Sequence, residues 1–117
     1  MKPSVYLETT VISYLAARLS SDFITAQRQF STQQWWQYER PSFRVVISQA
    51  VYDECVQGTP EQVRQRLAYL EQTAVLPLDS RILELAEGLI APGAVPLNAA
   101  TDAVHIAAAA VYGATIY

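Results

Sequence analysis

The chain has 117 residues, of which 51% are hydrophobic and 16% are charged. This length allows one domain, and the composition excludes disorder and favours a layered α/β domain with elements buried on more than one side. The net charge of −3 excludes a global positive field, so nucleic-acid chemistry would need a metal ion or a local group of arginines. Seven of the eight basic residues are scattered arginines: Arg18, Arg28, Arg40, Arg44, Arg64, Arg66 and Arg81.

Cysteine use and hydropathy predict a cytoplasmic protein. The single cysteine, Cys55, has no second thiol with which to form an intramolecular disulfide, as is typical of a reducing compartment. Residues 1–7 lack the apolar segment of a signal peptide. The most apolar stretch, residues 103–117, contains His105 and is shorter than the roughly 20 apolar residues of a membrane-spanning helix.

Hydrophobic periodicity and turn residues predict alternating strands and helices. The run FRVVIS is typical of a strand covered on both faces. In chain order we expect a strand at 4–7, helices at 10–17 and 22–38, a strand at 43–48, a helix at 49–57, a helix from 60, a strand at 74–78, helices at 80–91 and 97–112, and a strand at 114–117.

Several of these helix boundaries rest on capping signals. Thr9 or Thr10 is expected to cap the first helix and Asp22 the second. Thr59, followed by Pro60 and Gln62, has the pattern of a capping box. The expected inner faces of the two following helices consist of Val63, Leu67 and Leu70, and of Ile82, Leu85, Ala86 and Leu89.

The alternation of strands and helices predicts a parallel sheet with helices on both faces. Ligands of such sheets bind at the carboxyl ends of the strands. Glu8 directly follows the first strand, Glu54 lies early in the helix that leaves the second, and Asp102 lies early in the helix that returns to the fourth. We therefore expect these three carboxylates to converge on one edge of the sheet.

Three clustered carboxylates repel one another unless a cation offsets their charge. Oxygen ligands favour Mg²⁺ or Mn²⁺ over zinc or copper, and such an ion suits phosphodiester hydrolysis. Each acid also has a purely structural interpretation. Glu8 could be a cap or an ion-pair member, Glu54 a solvated helix residue, and Asp102 a complement to the helix dipole.

Other polar or aromatic residues favour structural roles. Asp53 is about 100° around the helix from Glu54 and is expected to be solvated. His105, three residues after Asp102, is expected to be a hydrogen-bonded core histidine, with a base or phosphate contact as the alternative. Cys55 is expected in the core. Trp35 and Trp36 are expected in the core or at a dimer interface rather than stacked on RNA bases.

Three segments carry a family resemblance: VYLETTVISYL, VISQAVYDEC and TDAVHIAAAAVYG. In this order they resemble PIN-domain proteins, specifically the VapC-like toxins of type II toxin–antitoxin pairs. The resemblance implies a three-layer fold with a parallel sheet of order 3-2-1-4 flanked by helices. It also implies an endoribonuclease dependent on Mg²⁺ or Mn²⁺, with an RNA substrate, a cognate antitoxin and a homodimer.

Mapped onto this chain, the family's catalytic and metal-binding acids fall on Glu8, Glu54 and Asp102, with Thr9 or Thr10 as the hydroxyl beside the first. The first acidic position usually holds aspartate, and Glu8 is one methylene longer. Family members also continue past the fourth strand into a segment with another Asp or Asn near the metal, whereas this sequence ends at Tyr117. The resemblance therefore leaves two hypotheses: a ribonuclease, or a catalytically defective PIN-like module that retains dimer or antitoxin contacts.

A third hypothesis, a phosphoacceptor domain of receiver type, fits the sequence less well. The first strand ends in a lone glutamate, and Lys2 is the only lysine, so no lysine occupies the later position that such domains use.

Overall fold

A computed structural model of the chain describes residues 2–92 and 100–116. The main elements of the described residues are β1 Ser4–Tyr6, α1 Thr9–Ala16, α2 Phe23–Gln34, β2 Arg44–Ser48, α3 Gln49–Cys55, α4 Pro60–Leu70, β3 Ala74–Leu76, α5 Ser80–Ile90, α6 Ala100–Val111 and β4 Thr115–Ile116. Between α2 and β2 lie a π turn, Trp35–Glu39, and a 3-10 turn, Arg40–Ser42.

The strands pair in parallel. β1 pairs with β2, with Val5 opposite Val45, and β2 pairs with β3, with Ile47 opposite Val75. The two-residue β4 lies on the other side of β1, so the sheet order is β3-β2-β1-β4. The predicted α/β class, with a parallel sheet flanked by helices, is confirmed.

The core forms around β1 and β2. Four consecutive residues of β2, from Val45 to Ser48, are buried, as predicted for a strand covered on both faces. The buried alanines of α6 are Ala103, Ala107, Ala108 and Ala109. Such small side chains allow close approach, and α6 packs mainly against α5. Cys55 is fully buried, as predicted.

The predicted cap of the first helix is wrong. α1 begins at Thr9, and Glu8 holds the extended N-cap conformation without a side-chain cap hydrogen bond. Since helical geometry begins one residue earlier than predicted, neither Thr9 nor Thr10 is placed to cap it. The other two predicted caps are confirmed. Asp22 accepts a hydrogen bond from the Thr25 backbone, and Thr59 forms the complete capping box.

The prediction of one regular helix over residues 22–38 is wrong at its end. The α-helical ladder stops at Gln34 and continues as the π turn. In this turn Trp35 stacks on Phe43, and Trp36 meets Tyr69 edge to face. Both indoles are half-buried against the core, which confirms the predicted packing. Because the π turn places both indoles in these contacts, packing against the core explains why the α-helix changes its geometry here.

The predicted inner face of α5 is wrong at one position. Ile82 and Ala86 are buried and Leu89 is partly buried, but Leu85 is 40% exposed. Leu85 lies about 60° from Ile82 around a regular helix, at the margin of the apolar stripe. The predicted start of the last helix at Leu97 and its preceding stop at Gly93 lie outside the described residues. None of the described helices is long and apolar enough to cross a membrane.

Candidate metal-binding site

Glu8 and Glu54 lie at the carboxyl ends of the two central strands. Glu8 is the second residue after β1, and Glu54 is in α3, which follows β2 directly. Since the strands are parallel, their carboxyl ends share one edge of the sheet. Both side chains are half-buried, and both carboxylates act electrostatically on the hydroxyl of Tyr6. These two predicted site residues thus both lie near Tyr6, at the same edge of the sheet.

Tyr6 is the last residue of β1 and is fully buried. Its hydroxyl lies 2.7 Å from Ser48 Oγ and 2.6 Å from His105 Nδ1. The pKa of Tyr6 is raised to about 12, mainly by burial; hydrogen bonds with Ser48 oppose the increase, and the negative charges of Glu54 and Glu8 contribute to it. Tyr6 is therefore a neutral phenol at neutral pH and can both donate and accept.

His105 joins the Tyr6 phenol to Glu54. The ring is 5% exposed, and its Nε2 lies 3.0 Å from Glu54 Oε1. An ionised carboxylate only accepts, so Nε2 must donate to it. In a neutral imidazole Nδ1 then accepts from the Tyr6 hydroxyl, and the phenol oxygen accepts from Ser48. We call these four residues, Ser48, Tyr6, His105 and Glu54, the hydrogen-bond chain.

Thr9 supplies a buried oxygen beside Glu8. Its Oγ1 is buried and has no hydrogen-bond partner within the part of the chain that the structure describes. Buried hydroxyls in folded proteins are nearly always satisfied by protein or by ordered water. An unpartnered hydroxyl next to Glu8 fits a site that takes an ion with its water shell, and oxygen donors suit Mg²⁺ or Mn²⁺. The donor atoms of Glu8, Glu54 and Thr9 are therefore chemically suited to the expected metal.

Asp102 is in the first turn of α6 and its side chain is exposed. It precedes His105 by three residues, so the two share a side of the helix. Residues 2–92 and 100–116 contain no group of three or more His, Cys, Asp or Glu side chains close enough to hold one ion. The structure thus links Glu54 to His105 and places Glu8 near Tyr6, but it does not assemble the predicted trio into one ligand set.

Arginines do not neutralise these carboxylates in the described part of the chain. There, the ion pairs of arginine join Arg64 to Glu61 and Arg81 to Asp79, which are residues of α4 and of the start of α5. The charges of Glu8 and Glu54 therefore remain available to a cation.

An open groove of about 470 Å³ adjoins Glu8 between α1 and α2. Its lining includes Tyr14 and Ile24 as well as the polar residues Gln27 and Arg28. The Arg28 guanidinium forms no ion pair or hydrogen bond within the described residues. The groove thus offers a positive charge and an aromatic ring beside a carboxylate, which are groups that contact nucleotides.

Sequence reasoning missed the roles of Tyr6 and Ser48. The sequence did contain a signal for these roles. Each residue carries a hydroxyl and stands at the carboxyl end of its strand, directly after buried apolar residues. The prediction of a hydrogen-bonded core histidine at His105 is confirmed, and the residue also contacts Glu54. Asp53 is exposed, as predicted, and accepts a hydrogen bond from Gln49.

Comparisons with known proteins agree with this fold. The family model described as PIN domain matches residues 5–116. Among solved structures, the chain resembles the crystal structure of Mycobacterium tuberculosis VapC20, described as a sarcin–ricin loop cleaving toxin, with a TM-score of 0.69. The two share 19% identity over 94% of this chain and 84% of that chain. No curated protein sequence matches the chain.

Proposed function

Because this chain belongs to the PIN-domain family, we propose that it is a metal-dependent endoribonuclease of the VapC toxin type. Glu8, Glu54 and Asp102 would bind Mg²⁺ or Mn²⁺. The observation that carries the proposal is the approach of Glu8 and Glu54 to one buried phenol, beside the unpartnered hydroxyl of Thr9. Two uncompensated carboxylates with a spare oxygen at one sheet edge favour a divalent cation.

When bound, the cation supplies the Lewis acidity that activates water and stabilises charge on the departing oxygen. The chain's own residues bind and orient. Glu8 and Glu54 would hold the ion, with Asp102 as the third carboxylate. Thr9, or the exposed Thr10, would orient a water molecule beside Glu8. Cleavage would leave a 5′-phosphate and a 3′-hydroxyl.

The proposed partners follow from the same family relation. RNA would reach the carboxylates along the groove beside Glu8, and Arg28 would contact its backbone. A cognate antitoxin would cover this edge of the sheet and could place an arginine on the carboxylates. The protein would act as a homodimer in the cytoplasm, where Cys55 stays reduced.

A second candidate is a catalytically defective PIN-like module that binds the antitoxin without cleaving RNA. The observation that favours it is that no three-residue ligand set is assembled within the described residues. In that case Glu54 would serve only as the partner of His105.

Metal titration and RNA cleavage, measured on the same variants, separate the two candidates. We expect wild-type protein to bind Mn²⁺ in calorimetry and to cleave single-stranded RNA, and Glu8→Gln to lose both properties. Asp53→Asn is the matched control, because it removes an exposed carboxylate of α3 outside the proposed ligand set. A wild-type chain without metal affinity or cleavage would establish the binding module instead.

A further inference from the structure

We infer that Tyr6 and His105 are positioning residues that fix the carboxylate of Glu54. They hold its Oε1 and leave Oε2 for a ligand. The inference deepens the proposed function and rests on it, because Glu54 is one of the proposed metal ligands. Tyr6 and His105 would act through Glu54 without touching the metal or the RNA.

The first step is the fixed orientation of the His105 ring. The ring is buried, and each of its nitrogens has one partner: Tyr6 at 2.6 Å and Glu54 at 3.0 Å. Its centroid lies 5.7 Å from that of the Tyr6 ring. Turning the imidazole would break both hydrogen bonds inside the protein, where an unsatisfied polar group costs about 1 to 3 kcal/mol. The imidazole is therefore a rigid donor.

The second step concerns the freedom of Glu54. Its side chain is 37% exposed. A glutamate with this exposure normally samples several rotamers, because fixing one of them costs side-chain conformational entropy. Here its Oε1 is held by His105. Oε2 has no hydrogen-bond partner in the portion of the chain that the structure describes. One oxygen is thus anchored and the other stays available, as in the carboxylate–histidine pairs that orient ligands in metalloproteins.

The third step is the choice of tautomer. The Tyr6 hydroxyl can donate to Nδ1 while it accepts from Ser48 Oγ, 2.7 Å away. A donor on Nδ1 places the imidazole proton on Nε2, where it is shared with Glu54. If the phenol is removed, Nδ1 loses its partner, and the carboxylate of Glu54 alone then holds the ring and its tautomer. Tyr6 therefore supports the His105–Glu54 contact from the far side of the ring.

The fourth step is the position of the hydrogen-bond chain in the fold. Tyr6 ends β1 two residues before Glu8, Glu54 belongs to α3, and His105 lies in α6, one turn after Asp102. The hydrogen-bond chain therefore joins β1, α3 and α6, which contain or closely precede the proposed ligands. Its loss would loosen the placement of these three elements relative to one another as well as the rotamer of Glu54.

Four variants test this inference. Tyr6→Phe removes only the hydroxyl, His105→Ala removes the donor, and His105→Gln keeps an N–H that can reach Glu54. Tyr69→Phe is the matched control, because it removes a tyrosine hydroxyl beside Trp36, away from the hydrogen-bond chain. Mn²⁺ affinity is measured by calorimetry and folding by circular dichroism. The His105 tautomer and the exchange rate of its ring proton are measured by ¹⁵N–¹H NMR of the metal-free protein.

We expect His105 to carry its proton on Nε2 in both the wild type and Tyr6→Phe, and we expect this proton to exchange with water faster in Tyr6→Phe, because the ring is then held from one side only. The Mn²⁺ dissociation constant should rise about tenfold in Tyr6→Phe and His105→Ala. It should rise less in His105→Gln and not at all in Tyr69→Phe. Should Tyr6→Phe fail to fold, Ser48→Ala serves in its place, because it removes the hydroxyl that the phenol oxygen accepts from.

An unchanged dissociation constant together with an unchanged exchange rate of the His105 ring proton in Tyr6→Phe overturns the inference while leaving the proposed function intact. If the wild-type chain binds no Mn²⁺, the proposed function fails, and the exchange rate alone decides. Faster exchange in Tyr6→Phe then still supports the role of Tyr6 in the His105–Glu54 contact, and an unchanged rate overturns it.

Discussion

The phenol oxygen of Tyr6 lies 2.7 Å from Ser48 Oγ, so the last residues of β1 and β2 are joined by a buried hydrogen bond. The same phenol has a pKa raised to about 12, because the folded chain excludes water from it and because Glu54 and Glu8 oppose its ionisation. In the unfolded chain a tyrosine titrates near pH ~10. This difference makes folding sensitive to alkaline pH.

Tyr6→Phe should therefore make the protein less sensitive to alkali. Between about pH 10 and 12 the unfolded wild-type chain releases the tyrosine proton and the folded chain retains it. The free energy of unfolding then falls by as much as about 1.4 kcal/mol per pH unit. Below about pH 10 the stabilisation that the raised pKa of Tyr6 gives to the folded state is fully present. Urea denaturation at pH 9 and pH 11 measures it. Tyr69→Phe should keep the wild-type response, and an identical response in Tyr6→Phe would contradict the assignment.

Cys55 should resist alkylation in the native protein. Burial raises its pKa to about 11, with a smaller increase from Glu54 opposed by Arg66. Only the thiolate is nucleophilic, and the side chain is also inaccessible. At pH 8, mass spectrometry after iodoacetamide treatment should show unlabelled native protein and complete labelling in urea. Equal labelling rates in the two states would show that Cys55 is accessible after all.

Thr59→Ala should destabilise the protein by about 1 kcal/mol. The Thr59 hydroxyl accepts from the Gln62 backbone, and the Gln62 side chain accepts from the Thr59 backbone, so both donors at the start of α4 depend on this pair. Thr59→Ser keeps the cap and serves as the control. The measurement is the urea midpoint at pH 7. A midpoint for Thr59→Ala that matches Thr59→Ser would mean that the cap contributes nothing measurable.

Arg28→Ala should weaken RNA binding and leave metal affinity unchanged. Arg28 lines the groove that adjoins Glu8, and a charge-assisted hydrogen bond to a phosphate is worth enough to change affinity by roughly tenfold. Fluorescence anisotropy with a single-stranded RNA in EDTA measures binding without cleavage. Arg44→Ala, at the opposite end of β2, is the control. Equal losses in both variants would point to nonspecific charge attraction.

Much of the fold could be predicted from the sequence because local signals agree with the tertiary structure. The β-branched run of β2 and the caps at Asp22 and Thr59 specify their elements locally. The carboxyl-edge positions of Glu8 and Glu54 follow from the parallel topology. These features need no knowledge of distant contacts.

The contacts that link the site could not be predicted in the same way. Tyr6 meets partners 42 and 99 positions away, and no local pattern encodes which polar side chains meet in a core. The Thr9 cap failed for a different reason. Since α1 begins one residue earlier than expected, the Thr9 hydroxyl lies inside the helix, buried and without a hydrogen-bond partner among the described residues.

The π turn Trp35–Glu39 contains both tryptophans of the chain. The Trp35 indole stacks on Phe43, whereas the Trp36 indole meets Tyr69 edge to face and lies under the Arg40 guanidinium. The intrinsic tryptophan fluorescence of this protein therefore comes from the connection between α2 and β2 alone. An emission shift during unfolding reports the loosening of that connection, whereas a probe placed at Glu8 or Glu54 is needed to observe the edge of the sheet where the carboxylates lie.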